Sequence, residues 1–288
     1  LAAHFTLWVL AALAAGVLIS LWLRSSSLTI ANAMVAAVLL LYGSEYLQRA
    51  KELDVEHDPT VSLVSFNVHA ANSSKPEVMN FLNQLDADLV LLMEVNETWA
   101  AFLEEMRPRY PYRALHVRSD AFGMALLSKR PMTWSFLKAG PDGVPYLDAR
   151  IDHRVASFRF IGVHALPPVS RDNWLRAHRQ IDTILRTVRG DELVVMAGDF
   201  NTTPNGSLYR RIVRSGHFRS VGASSPFRPT WGPLLATLQI DHVFVSPEWW
   251  TTPRRVGPAY GSDHRPVYCE VVLTPVLFAR SSKPLKIR

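Results

Sequence analysis

The chain has 288 residues, enough for one large domain or two small ones, and 48% of them are hydrophobic. Its net charge is +6 and its pI about 9.6, but Arg24 and the tail residues Arg280, Lys283, Lys286 and Arg288 hold most of that surplus. The body is therefore nearly neutral, and overall basicity is no argument for a nucleic-acid surface. A single cysteine, Cys269, excludes an internal disulfide and a Cys/His zinc cluster.

The apolar excess sits at the start, where residues 1–44 contain one charged side chain, Arg24. Phe5–Leu23 has about the length that spans a bilayer as a helix, with Trp8 and Trp22 near its ends. Leu28–Tyr42 is a second, shorter apolar run after a polar break at Arg24–Ser27. The second run argues against a secretory signal peptide, so residues 1–47 are expected to form a transmembrane helical hairpin anchor. Residues 48–60 are charged, end in Asp58-Pro59, and read as a linker. Residues 61–275 then form the folded domain, and 276–288 a short basic tail suited to anionic lipid.

Within the domain, Val61–Val68 alternates and is rich in β-branched residues, which predicts a strand. Ser74-Lys75-Pro76-Glu77 is a helix-start signature with Ser74 as its cap, followed by Val78, Phe81, Leu82 and Leu85 at helical spacing. Leu89–Val95 predicts a buried strand and Glu97–Met106 a helix. Tyr112–Val117, Gly123–Ser128, Leu147–Ile151 and Phe158–Val163 predict strands. Ser170 caps a helix with Trp174, Ala177, Ile181, Ile184, Leu185 and Val188 on its apolar face and arginines on the other, the ordinary pattern of a solvated outer face. Leu193–Ala197, Ile240–Ser246 and Val267–Leu273 complete the strands. Strands dominate and turns between them are frequent, which favours a layered α/β protein with largely antiparallel sheets. The sequence has no internal repeat, no Gly-rich phosphate loop and no GxSxG elbow.

Polar residues recur where these apolar strands stop. The stretch Val194–Pro204 (VVMAGDFNTTP) ends a buried run in Asp199 and Asn201. Two apart, they point the same way in an extended segment and aim a carboxylate and an amide at one spot. Asn67 ends the first strand, Glu94 follows five apolar residues, and His164 follows Phe158–Val163. Asp241-His242 lies inside an apolar strand, and Asp263-His264 precedes the last one. Taken singly, each is a turn, a cap or a structural histidine. Together they supply hard oxygen ligands for Mg²⁺ or a similar ion. They also supply a histidine, His264, able to take a proton from water, with Asp241 to orient its other ring nitrogen. That is the chemistry of metal-assisted phosphoester hydrolysis.

On these residues the chain resembles the endonuclease/exonuclease/phosphatase superfamily, relatives of deoxyribonuclease I. The matching stretches are Ser65-Phe66-Asn67, Leu92-Met93-Glu94-Val95, Gly162-Val163-His164, Gly198-Asp199-Phe200-Asn201, Ile240-Asp241-His242 and Gly261-Ser262-Asp263-His264-Arg265-Pro266, in the family's order. The resemblance implies a four-layer α/β/β/α sandwich of two mainly antiparallel sheets with the site at one edge. It assigns a divalent metal, Mg²⁺ or Mn²⁺, to Glu94 with Asn67 nearby and Asp263 assisting. It gives Asp199 and Asn201 the attacking water and the phosphate, makes His264 the general base oriented by Asp241, and places His164 against the phosphate and the leaving group. Phe122–Ser128, His164–Pro168 and Pro229-Thr230-Trp231 resemble a bacterial, membrane-anchored subgroup. That subgroup implies an inner-membrane location, the periplasmic side preferred, and further helices upstream of Leu1.

Three functions compete. The first is a phosphodiesterase of the nuclease type. The second is a lipid-directed enzyme, a phospholipid or sphingomyelin-type phosphodiesterase or an inositol-phosphate phosphatase. The third is a non-catalytic membrane module. The expected partners are a phosphodiester substrate, nucleic acid or lipid headgroup, and a membrane; no obligate protein partner is expected.

Overall fold

The two N-terminal apolar runs fold as helices, α1 (Thr6–Trp22) and α2 (Ser26–Ser44), in the computed structural model. The structure describes residues 6–24, 26–44, 51–52, 60–140, 143–154, 156–222, 229–233 and 237–273. The helices pack on each other as a hairpin in which Thr29 Oγ1 donates to Ser20 Oγ at 3.0 Å and Gly16 lies against Asn32. The expectation of transmembrane spans is corrected here: among the described residues no helix is long and apolar enough to cross a membrane. The 17 residues of α1 reach only about 26 Å at 1.5 Å per residue, short of a hydrocarbon core of about 30 Å. The longer α2 is interrupted by Ser26, Ser27, Thr29, Asn32 and Ser44. The basic tail lies outside the described residues.

In chain order the body runs β1 (Lys51–Glu52), β2 (Thr60–Asn67), α3 (Lys75–Leu85), β3 (Leu89–Met93), α4 (Glu97–Glu104), β4 (Tyr112–His116), β5 (Met124–Ser128) and β6 (Met132–Lys138). It continues with β7 (Pro145–Ile151), β8 (Phe158–His164), α5 (Arg171–Thr187), β9 (Val194–Asp199), α6 (Ser207–Arg214), β10 (Arg219–Ser220), β11 (Asp241–Val245), β12 (Trp249–Thr251), β13 (Arg255–Val256) and β14 (Val267–Leu273). One sheet has the order β1-β12-β14-β2-β3-β5-β4, with β13 on β14, and the other β10-β11-β9-β8-β7-β6. Both are mainly antiparallel, with parallel pairs at β1/β12, β2/β3 and β8/β9. Part of the expected linker, β1, thus extends the first sheet at its edge.

Strand alternation sorts the apolar side chains into three layers. Val61, Leu63, Leu89, Leu91, Leu147, Phe160, Val195, Ala197 and Val243 fill the space between the sheets. Val64, Phe66, Val90 and Leu92 face Val78, Leu82, Trp99 and Leu103 of α3 and α4. Ile161, Val163, Val194, Met196 and Phe244 lie under Ala177, Ile181, Ile184, Leu208 and Ile212 of α5 and α6. The result is the α/β/β/α sandwich. Besides β1 and the two- and three-residue strands β10, β12 and β13, two longer elements escape the sequence reading. Strand β6 pairs along its whole length with β7 but is an edge strand exposed at most positions, with only Met132 and part of Phe136 turned to the core, so it shows little alternation to read. Helix α6 is only 8 residues long. The Ser74 cap is also corrected, since its side chain caps nothing and its N–H instead donates to Asn72 Oδ1 at 2.8 Å. Ser170 does cap α5, accepting from the Asn173 N–H.

Candidate active site

The site begins where the inter-sheet core ends. In β2 the residues pointing between the sheets are Val61, Leu63, Ser65 and then Asn67; in β9 they are Val195, Ala197 and then Asp199. Strand β8 contributes Phe158, Phe160, Gly162 and His164 on the same parity, and β11 ends its inward face in Asp241. Register places His164 opposite Asp199 across β8/β9, and Asp199 opposite Asp241 across β9/β11. Three polar side chains therefore form one row across three neighbouring strands. His164, Asp199 and Asp241 are all buried.

The first sheet supplies the facing groups. Asn67 Nδ2 donates to Glu94 Oε1 at 3.0 Å and to Asp199 Oδ2 at 3.4 Å, and lies 3.5 Å from His264 Nε2. The other Glu94 oxygen accepts the Ala70 N–H at 3.0 Å. Glu94 follows β3 in a left-handed backbone conformation, φ 63°, and His69 and Asn201 share that region at 60° and 47°. Such strain in non-glycine residues clusters at functional sites, because surrounding contacts must hold it in place.

His264 enters from the loop before β14. Ser262 Oγ donates to the Asn67 carbonyl at 2.8 Å and accepts the His264 N–H at 3.0 Å, tying the loop to the end of β2. The Asp241 carboxylate grips His264 Nδ1 at 3.0 and 3.2 Å, which leaves Nε2 directed at Asp199 Oδ2, 3.6 Å away. His164 Nε2 lies 3.5 Å from the same oxygen. The ring of His164 packs on Phe122 at 5.2 Å, and its Nδ1 is buried without a hydrogen-bond partner among the described residues.

Asn201 is placed differently from the extended geometry read in the sequence. β9 stops at Asp199, and the left-handed turn of Asn201 brings its backbone N–H to Asp199 Oδ1 at 2.8 Å, an Asx turn. Its side chain instead donates to the Ala165 carbonyl at 2.9 Å, tying the ends of β8 and β9. Asp263 is exposed and accepts a hydrogen bond from Trp231 Nε1 at 2.9 Å, apart from the hydrogen-bonded cluster. The structure thus brings together Asn67, Glu94, His164, Asp199, Asp241 and His264, with Asn201 at the margin.

Sequence reading gave no role to Ser262 or Thr230. The Thr230 hydroxyl accepts the N–H groups of Ile240 and Asp241 at 3.1 and 3.0 Å, fixing the start of β11. Arg254 is equally silent in the sequence, yet it is buried and donates to the Asp241 carbonyl at 3.1 Å. Only their place in the three-dimensional network singles them out.

Burial pushes the Asp199 carboxyl up to about 6; His264 pulls it down and the neighbouring Asp241 raises it further. Burial works against a charged imidazole at His264, but Asp241 and Asp199 together hold its pKa up at about 10. Asp199, Asp241 and His264 offer ligand atoms within 4.8 Å of one another, and Asn67 joins Glu94 to the same group. Three carboxylates in so small a volume carry more negative charge than two histidines balance. This oxygen-rich donor set fits a hard divalent cation.

The Endonuclease/Exonuclease/phosphatase family model matches residues 64–264. No curated protein matches the sequence. Among solved structures, D. rerio TDP2 complexed with single strand DNA product is 17% identical, with a TM-score of 0.63 over 75% of this chain and 100% of that one. The endonuclease/exonuclease/phosphatase from Bacteroides vulgatus is 18% identical, also at a TM-score of 0.63, over 75% and 100%. The human Nocturnin catalytic domain with bound sulfate anion is 16% identical, at a TM-score of 0.61, over 76% and 97%. At these identities the likeness is one of fold. With the family match over most of the sandwich and the acid–histidine cluster at its edge, the chain belongs to the endonuclease/exonuclease/phosphatase family and is a metal-dependent hydrolase of phosphate esters.

Proposed function

We propose that the chain is a phosphodiesterase of the nuclease type that works with Mg²⁺ or Mn²⁺. The observation that carries this reading is the meeting of Glu94, Asp199 and His264 on the single amide of Asn67, at 3.0, 3.4 and 3.5 Å. Glu94 and Asp199 would hold the cation, which supplies positive charge to the phosphate oxygens when bound. His264 Nε2 takes the proton of the attacking water while Asp241 fixes the ring through Nδ1. It becomes a base once a cation takes up the charge of Asp199, because Asp199 is one of the carboxylates that hold its proton. His164 directs Nε2 into the same space, 3.5 Å from Asp199 Oδ2, which suits a hydrogen bond from that nitrogen to an oxygen of the phosphate or leaving group. Asn201 and Asp263 flank the site rather than face it.

A lipid-directed phosphodiesterase is the second reading. It is favoured by the apolar side chains that the hairpin exposes, among them Leu18, Ile19, Trp22, Leu28 and Ile30. Such a hairpin suits attachment to a lipid interface rather than a span. The deciding experiment offers the full chain plasmid DNA, RNA, bis-p-nitrophenyl phosphate, phospholipid vesicles and inositol phosphates, each with Mg²⁺ or Mn²⁺. Cleavage of nucleic acid without lipid turnover supports the first reading. Lipid turnover alone replaces it, and inactivity throughout with metal bound leaves a non-catalytic module.

A further inference from the structure

Two arginines are buried among the described residues, Arg159 and Arg254, and the fold treats them differently. Arg159 sets one edge of its guanidinium on Asp148, donating through Nε and Nη2 at 2.9 and 2.6 Å. Arg254 is 1% exposed and donates through Nη1 to the Asp241 carbonyl at 3.1 Å. Its Nε and Nη2, the edge that Arg159 gives to a carboxylate, have no hydrogen-bond partner among the described residues. A buried ion without a directly paired counter-ion is costly, and an apolar side chain of similar volume would pack there more cheaply. Burial pushes the Arg254 pKa down to about 10, which leaves the group charged at neutral pH.

The place of this charge is specific. The Arg254 N–H donates to the Gly222 carbonyl at 2.8 Å, which fixes the main chain that carries the side chain to the start of β11. Asp241 is thereby held at three points. The Thr230 hydroxyl accepts its N–H at 3.0 Å, Arg254 holds its carbonyl, and His264 Nδ1 meets its carboxylate at 3.0 and 3.2 Å. Of the charged groups around Arg254, Asp241 most favours the guanidinium ion. The buried acids Asp199 and Asp241 and the half-buried Glu94 therefore have a fixed positive charge beside one of them, built into the interior rather than supplied by a ligand.

We propose that Arg254 is a positioning residue of the catalytic edge: it holds the Asp241 main chain so that the carboxylate meets His264, and its charge offsets the acid cluster that binds the divalent cation. The inference deepens the phosphodiesterase reading and rests on it for the roles of Asp241, His264 and the cation. A purely structural arginine in this interior would turn its two-pronged edge to a carboxylate, as Arg159 does. Arg254 instead uses one nitrogen on a backbone carbonyl and acts on the acids through its charge, which reaches further than a hydrogen bond.

The test compares Arg254→Met, Arg254→Gln and Arg254→Lys in the full chain, by calorimetry with Mg²⁺ and by steady-state kinetics on bis-p-nitrophenyl phosphate at pH 7. The calorimetric stoichiometry counts folded sites, so misfolded molecules do not enter kcat. Arg254→Met is expected to lower kcat about tenfold with KM within about twofold, because the loss falls on orienting the base. It should also bind Mg²⁺ about fivefold more tightly, the effect of removing a like charge near a divalent ion. Arg254→Gln keeps a donor without the charge, so it should show the same gain in Mg²⁺ affinity and a smaller loss of kcat. Arg254→Lys keeps the charge and a donor, and should match the unmodified chain in Mg²⁺ affinity and recover most of the rate. Lost packing alone does not tighten metal binding. Mg²⁺ affinity that is unchanged or weaker in both neutral variants overturns the proposal, as does full kcat per folded site in Arg254→Met. Should Arg254→Met not fold, Arg254→Gln against Arg254→Lys makes the same comparison. If the unmodified chain binds Mg²⁺ but hydrolyses no phosphodiester, the phosphodiesterase reading fails, and the order of the Mg²⁺ affinities alone then upholds or overturns the role of Arg254.

Discussion

Asp199 and Asp241 are direct partners across adjacent antiparallel strands, and one imidazole serves both: His264 Nδ1 lies 3.0 Å from Asp241 and Nε2 3.6 Å from Asp199. Like charges directly opposite in a sheet are destabilising, and both carboxylates are buried. The arrangement spends stability on a site for positive charge. Asp199→Asn is therefore expected to stabilise the metal-free protein by about 1–2 kcal/mol while abolishing turnover. The folded-state pKa of Asp199, about 6, lies above the ordinary aspartate value of 3.8. The native state thus binds the extra proton between those values, and stability falls as pH rises through that window. The variant should flatten this fall, and Mg²⁺ should raise its melting temperature less than that of the unmodified chain. Thermal melts from pH 4 to 7, with EDTA or Mg²⁺, check all three.

Removing the base or the acid opposite it tests the chemistry directly. His264→Ala is expected to lower kcat on bis-p-nitrophenyl phosphate by about 10²–10⁴-fold, the range of a lost general base. Glu94→Ala should cost as much and also weaken Mg²⁺ binding measured by calorimetry, whereas His264→Ala should leave it largely intact. Near-ultraviolet circular dichroism establishes that both variants stay folded. An active His264→Ala enzyme removes that residue as the base.

Next to Asp241 in the chain, His242 turns to the opposite face of the sheet and donates through Nε2 to the Thr202 carbonyl at 2.7 Å. Burial, aided by Arg254, pushes its pKa from 6.5 down to about 3. The unfolded chain therefore binds the extra proton between these values, so stability is full above pH 6.5 and is lost on acidification towards pH 3. His242→Gln is expected to be less stable at pH 7 through lost packing, but with a shallower decline between pH 7 and pH 4. Urea unfolding at a series of pH values gives the slope. An unchanged slope assigns the acid sensitivity to other groups.

Much of the sandwich is legible in the sequence because its strands have two distinct faces. Val61, Leu63 and Ser65 alternate with Val64 and Phe66, and each set has its own apolar layer. The same parity carries the strand-end polar residues to one edge, which is why Asn67, His164 and Asp199 can be picked from the chain. Where a site residue leaves the strand, parity stops working. Asn201 is taken round by a left-handed turn, and Asp263 is drawn off by Trp231. Edge strand β6 buries only Met132 and part of Phe136, and the N-terminal helices resemble a membrane segment in composition, yet among the described residues none is long and apolar enough to cross one. Buried supports such as Thr230 and Arg254 have no sequence signal, since their role depends on residues distant in the chain.

Gly198 sits at the hinge between core and site, immediately before Asp199. Its φ is 143°, and a Cβ added there would come within 1.8 Å of the Val163 carbonyl oxygen on the neighbouring strand. Neither backbone can yield without shifting the His164–Asp199 register. Gly198→Ala is expected to cost about 3 kcal/mol or more and to lower activity in the fraction that folds. Denaturant midpoints and kcat of the soluble fraction measure both.

Ser262 links the two halves of the site with a single hydroxyl, donating to the Asn67 carbonyl and accepting the His264 N–H. Both partners are buried, so Ser262→Ala leaves an acceptor and a donor unsatisfied at an expected cost of about 2–4 kcal/mol. The functional effect should be separable from the loss of stability. Without the hydroxyl, the loop keeps its backbone bonds to Thr230 and Gly232 but loses its tie to the end of β2, and the distance from His264 Nε2 to Asn67 and Asp199 is free to widen. The expected result is a fall in kcat of about tenfold with little change in KM, because the loss falls on orienting the base rather than on holding substrate. Ser262→Thr retains the hydroxyl and should recover most of the rate, provided its methyl is accommodated. A Ser262→Ala enzyme that is destabilised yet keeps its full kcat assigns the hydroxyl to folding alone.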